Sequence, residues 1–77
     1  MKKALYERNC AAFTDLLKEE RKKAGLTQAK LAKKLRRPQS YVSKYERGDR
    51  RLDVIEFLEV ARAVGFDPGE ILRKLPL

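Results

Sequence analysis

The stretch TQAKLAKKLRRPQSYVSKYE, Thr27 to Glu46, holds two short helical patterns joined only by Leu35-Arg36-Arg37-Pro38. The first pattern puts Leu31, Ala32 and Leu35 on one stripe, and the second puts Val42 and Tyr45 on another. Gln39, Ser40 and Lys44 fall outside the second stripe. A break this short brings the two helices together, and neither can bury its own apolar face. The rest of the chain must therefore cover the inward faces, and the outward face of the second helix is left for another purpose.

Working outward, the segments on both sides also read as helices. From Ala4 to Ala24, Phe13, Leu16, Leu17 and Ala24 share a face, with Leu5, Tyr6 and Cys10 extending it upstream. The first turns either join this helix or form a separate arm, and Met1 to Lys3 should fray. The basic Lys2, Lys3 and Arg8 cluster is read as part of that terminus rather than as an arm reaching a partner. Gly25 follows a run of cations and suits a C-terminal cap. Thr27 is a good N-cap, although Lys30 stands where a capping-box acid would be. Pro38 suits the first position of the next helix, and Gly48 ends it. Asp53 with Glu56 three residues on makes a capping box, followed by a stripe of Val54, Ile55, Leu58, Ala61 and Val64. Asp67-Pro68-Gly69-Glu70 opens a short last helix carrying Ile71, Leu72 and Leu75. The expectation is an all-α fold of five helices. Residues 1–12 extend the first helix or form an arm, and residues 13–77 make the domain.

Composition narrows the function. A chain of 77 residues buries roughly 60% of its unfolded surface, so stability should be modest. The single Cys and the absence of His leave no disulfide or zinc framework and remove the commonest general base. Neither paired acids around a cleft nor a glycine-rich phosphate loop is present, so the chain reads as non-enzymatic, with no cofactor and no metal. No apolar run approaches the roughly 18 residues of a membrane span, and the expected setting is cytoplasmic. The net charge of +8 is uneven. Residues 1–37 carry twelve Lys/Arg against four Asp/Glu, whereas residues 52–77 carry three against five. That asymmetry suits a polyanionic partner.

The outward face of the third helix carries matching chemistry. At 100° per residue from Val42, Tyr45 and Glu46 point inward. Ser40, Lys44 and Arg47 point outward, Tyr41 and Ser43 flank them, and Gln39 sits at the N-terminal tip. Gln can pair with adenine, Lys can reach guanine acceptors, and Ser reaches bases or phosphate. Tyr41 either contacts DNA or packs on the second helix. Arg36, Arg37, Arg50 and Arg51 flank the helix where phosphates would lie in a major groove.

At these residues the chain resembles the Cro/repressor-type helix-turn-helix proteins, the XRE family. The matching segments are Gly25-Leu26-Thr27-Gln28, Leu31-Ala32-Lys33-Lys34-Leu35, Gln39-Ser40-Tyr41-Val42-Ser43-Lys44-Tyr45-Glu46-Arg47-Gly48, and LEVARAVG from Leu58 to Gly65. The resemblance spans roughly Phe13 to Leu75 and implies a five-helix domain of the lambda-repressor-like type. It implies that Gln28 holds a phosphate and supports the base-reading side chain nearby, and that Gln39, Ser40, Tyr41 and Lys44 face bases. Ser43, Arg47 and Arg50 are then backbone contacts. Arg21 and Glu46 match a partly buried salt bridge between the first and third helices.

Two departures bear on the pose of the third helix. The family usually has Gly at the position of Arg36, where the turn takes a positive φ, so either the turn adapts or Arg36 accepts the strain. Pro38 replaces a Ser or Thr cap.

The implied function is a sequence-specific DNA-binding transcriptional regulator, a repressor acting as a dimer on an inverted repeat and encoded by a bacterium or phage. Phe66, Ile71, Leu75 and Leu77 either form the two-fold contact or seal the bottom of the core. The alternative is an antitoxin or other interaction module, whose acidic fourth helix and apolar C-terminus would engage a protein partner while DNA binding is autoregulatory.

Overall fold

The computed structural model describes residues 3–77; Met1 and Lys2, with their share of the expected frayed terminus and basic cluster, lie outside the described residues. Five helices follow in order: α1 Lys3–Lys23, α2 Gln28–Leu35, α3 Gln39–Arg47, α4 Val54–Val64 and α5 Pro68–Arg73. The expected all-α architecture is what forms. Among the described residues α1 is one continuous helix from Lys3, and its first turns join it rather than forming a separate arm. Arg8 is tied down as well, its Nη2 donating to the Pro76 carbonyl at 2.9 Å.

The helix starts follow from their capping chemistry. The Thr27 hydroxyl accepts from the Lys30 N–H at 3.1 Å. Asp53 and Glu56 complete the reciprocal capping box, with the Glu56 N–H donating to Asp53 Oδ1 at 2.8 Å and the Asp53 N–H to Glu56 Oε1 at 3.0 Å. Pro38 precedes α3 without any side-chain cap. The first N–H groups of α3 therefore have no side-chain partner at the end where the helix dipole is positive.

Leu17 of α1, Leu31 and Ala32 of α2, Tyr41, Val42 and Tyr45 of α3, Phe57, Val60 and Ala61 of α4 and Ile71 of α5 form one core. Phe13 meets the Phe57 ring edge-on at 5.1 Å, and Phe66 lies 6.1 Å from the same ring. α4 departs from the sequence reading. Its core face is Phe57, Val60 and Ala61, while Val54, Ile55 and Leu58 are 71%, 66% and 44% exposed. The helix is apolar over most of its circumference, so periodicity alone does not say which stripe faces in. Ala24, expected on the α1 stripe, is likewise exposed, and the buried residues of α1 are Leu17, as expected, together with Asn9 and Arg21.

The break between α2 and α3 is decided by Arg36, the non-glycine residue at positive φ (φ 57°, ψ 43°) among the described residues. Its N–H donates to the Lys33 carbonyl at 3.1 Å, and the Arg37 N–H reaches the Ala32 carbonyl at 3.0 Å. This is the hydrogen-bond pair of a Schellman cap, the same stop that Gly48 makes at the end of α3 with φ 82°. The turn keeps the glycine geometry and Arg36 bears the strain. A left-handed L-residue costs about 1–2 kcal/mol, and glycine returns about half of that through its freer unfolded chain. Arg36→Gly should therefore raise stability by about 0.5–1 kcal/mol, read as a rise of a few degrees in thermal midpoint.

Candidate nucleic-acid interface

α3 is held from behind by a network on Glu46. Arg21 of α1 meets it through two bonds, Nε to Oε2 at 2.7 Å and Nη2 to Oε1 at 3.0 Å, with side-chain exposures of 9% and 2%. Arg21 Nη1 also donates to the Leu26 carbonyl at 2.9 Å, which ties the α1–α2 turn into the same cluster. Gln28 joins it, its Nε2 donating to Glu46 Oε1 at 3.0 Å. A carboxylate only accepts, so the amide nitrogen must face it. The resemblance implies a phosphate for Gln28; in the structure its amide nitrogen braces the glutamate that orients α3. The Arg21 guanidinium is held charged by its hydrogen bonds to Glu46, against the opposing effect of burial.

The opposite side of α3 is open. Gln39, Ser40, Lys44 and Arg47 are exposed and Ser43 is half-buried. The Ser43 hydroxyl donates to the Ser40 carbonyl at 3.3 Å, and Arg47 Nε meets Asp49 Oδ2 at 3.0 Å in an exposed pair. Arg36 and Arg51 are exposed at the two ends of the helix. This gives one polar and cationic ridge, and the acid of α3, Glu46, lies on the opposite, buried side.

Tyr41 does not join that ridge. It is 7% exposed, with its ring edge-on to Tyr45 at 5.7 Å. The Arg37 and Arg50 guanidinium carbons lie over it at 4.7 and 4.6 Å from the centroid. Arg50 is itself engaged by Glu56 through bonds of 3.1 and 2.7 Å, and it donates to the Arg51 carbonyl at 3.1 Å. Arg37 faces Glu59 at 3.9 Å. The reading of Tyr41 as base-facing and Arg50 as a backbone contact leaves out two things: the packing of Tyr41 on Tyr45 and the two arginines, and the α4 carboxylate that Arg50 holds. The six-residue spacing from Arg50 to the capping-box acid Glu56 is the signal that points to one of them.

Glu56 has a measurable signature. Its carboxyl is pulled down from 4.5 to about 2, first by the Arg50 hydrogen bonds and then by the Asp53 N–H. The folded pKa lies below the unfolded one, so this contribution is complete above about pH 4.5 and lost as pH falls toward about 2. Glu56→Gln should flatten that part of the acid-unfolding curve followed by circular dichroism. The effect is moderate, because Arg50 is partly solvated.

The residues expected at a two-fold contact divide. Ile71 is 1% exposed and belongs to the core, and Phe66 packs half-buried against it, so neither offers a free surface. Leu77 is 83% exposed and Leu72 51%. Together with Tyr6, Cys10, Phe13, Val54 and Leu75 they line an apolar groove of about 330 Å³. Among the described residues no helix is long and apolar enough to cross a membrane.

The helix-turn-helix family model matches residues 17–71, a span from the middle of α1 into α5. A solved structure of an XRE-family like protein from Pseudomonas syringae pv. tomato str. DC3000 is 50% identical, covers 94% of this chain and 88% of its own, and superposes with a TM-score of 0.89. The chain belongs to the XRE-type helix-turn-helix family. The restriction-modification controller protein C.AhdI from Aeromonas hydrophila is 34% identical over 80% of this chain and 94% of its own, with a TM-score of 0.74. No curated protein matches. The protein is therefore a DNA-binding transcription regulator, and α2 and α3 are its helix-turn-helix.

Proposed function

We propose that this XRE-type regulator is a repressor that binds an inverted-repeat operator as a homodimer. The observation that carries the reading is the division of α3. One side is fixed to α1 through Arg21 and Glu46, while the other presents Gln39, Ser40 and Lys44 in the open. Those three side chains read base edges in the major groove. Ser43, Arg36, Arg37, Arg47 and Arg51 contact the backbone around them, and the uncapped start of α3 favours a phosphate. Repression follows from occupancy, since a bound dimer blocks polymerase without any enzymatic step.

Exposed apolar surface supports the dimer. Val54, Ile55, Leu58, Leu72 and Leu77 gather on α4, α5 and the chain end, where water contact is unfavourable. A two-fold arrangement sets the two α3 helices one DNA turn apart, about 34 Å. Selection of bound sequences from a random duplex pool tests both parts. A palindromic enriched motif with half-sites one helical turn apart is expected. An unenriched pool would rule out sequence reading, and a single asymmetric half-site would rule out the dimer.

A further inference from the structure

Tyr41 is the feature that the recognition face leaves unexplained. A tyrosine on a DNA-reading helix would ordinarily offer its ring or hydroxyl to a base, yet this one is 7% exposed. Its surroundings are specific. The Arg50 guanidinium over the ring is immobilised by two bonds to Glu56 and one to the Arg51 carbonyl. Tyr45 closes another edge of the ring. The ring is thus a fixed plate.

Arg37 lies on that plate under different conditions. Its carboxylate partner Glu59 is 3.9 Å away, and the two side chains are 39% and 55% exposed. An ion pair so long and so open is screened at physiological salt. The aromatic face, 4.7 Å from the guanidinium carbon, is the contact that persists. Arg37 also immediately precedes Pro38, at the uncapped start of α3, where a DNA phosphate would come closest.

We propose that Tyr41 is a positioning residue whose ring, braced by Arg50 and Glu56, holds the Arg37 guanidinium in place for a DNA phosphate. On binding, Arg37 exchanges the exposed Glu59 carboxylate for the phosphate while its contact with the ring is kept. Arg50 remains paired with Glu56 as a brace and does not itself become a phosphate contact. The assignment rests on α3 facing DNA, and it adds a reason for Tyr41 that base reading does not supply.

The test is the salt dependence of binding to a duplex taken from the selected pool. Losing one phosphate contact reduces the slope of log K against log salt by about 0.9. Arg37→Ala should show that change, and Tyr41→Leu should show the same. The double variant should lose no more than either alone, and Tyr41→Phe should behave as the unaltered protein. Additive losses would overturn the proposal, as would a changed sequence preference in Tyr41→Phe. Should Tyr41→Leu not fold, proton chemical shifts of the unaltered protein give the answer. The Arg37 Cδ protons should be shifted upfield by the ring both free and on DNA. Their return to ordinary values on DNA would overturn the proposal. Normal duplex binding with an unchanged slope in Tyr41→Leu defeats this proposal alone, whereas no duplex binding by the unaltered protein defeats the DNA-facing reading beneath it.

Discussion

Glu46→Ala should cost about 3–5 kcal/mol of folding stability. The substitution leaves the Arg21 guanidinium, 9% exposed, without its charge partner, and removes the acceptor for the Gln28 amide. A buried cation left this way has lost its hydration without compensation. Small domains have only about 5–15 kcal/mol in total, and a chain of this length sits toward the low end. The variant should therefore be substantially unfolded in mild urea. Arg21→Ala should behave similarly, because it strands the carboxylate, 2% exposed.

Replacing both partners with apolar residues of similar volume, Arg21→Met with Glu46→Leu, should recover most of the loss. Urea midpoints with unchanged slopes measure this directly. A double variant as unstable as the sum of the singles would show that the pair is not energetically coupled. The recovered protein should still bind DNA less well, since the angle of α3 against α1 rests on the bidentate geometry that hydrophobic side chains do not reproduce.

Lys44→Ala should change which duplexes are bound rather than how tightly every duplex is bound. Lys44 is exposed on the face of α3 opposite Val42, with no ion pair among the described residues. A base-edge contact is worth about 1–3 kcal/mol of discrimination. The preferred sequence should lose roughly ten- to hundredfold while a random duplex changes little. Gln39→Ala should relax a different position of the same half-site. Competition binding against a panel of single-base variants checks both. Uniform weakening across the panel would mean that Lys44 touches phosphate and that the reading of bases lies elsewhere on the ridge.

These two predictions concern opposite sides of one nine-residue helix, and the sides were not equally legible in the sequence. The inward side was readable because burial has a period: Val42 and Tyr45 fall where a 3.6-residue repeat puts them. The caps were readable because they are local, as with Thr27 over Lys30 and Asp53 with Glu56. Tyr41 was not readable. At 100° from Val42 it lies on the boundary, and its packing in the core beside Tyr45, with Arg37 and Arg50 over the ring, decides that it is covered. The bond from Gln28 to Glu46 is illegible for a related reason: the two lie eighteen residues apart, and nothing at that separation appears in a local pattern. The stripe of α4 holds at Ala61 and Val64 but not at Val54, Ile55 and Leu58, since choosing between two apolar faces requires knowing where α2 and α5 lie.

By itself the sequence determined the five helices, their caps, the short α2–α3 break and the chemistry of the outward ridge. Each of these depends on residues within a turn or two of one another. The tertiary structure decided which faces are buried, that Arg36 keeps a glycine-like turn, and that Arg37, Tyr41, Arg50 and Glu56 form one assembly. The reason is physical. Backbone capping and helical periodicity are short-range, whereas burial and charge pairing depend on which distant segments the packed core brings within a few ångströms.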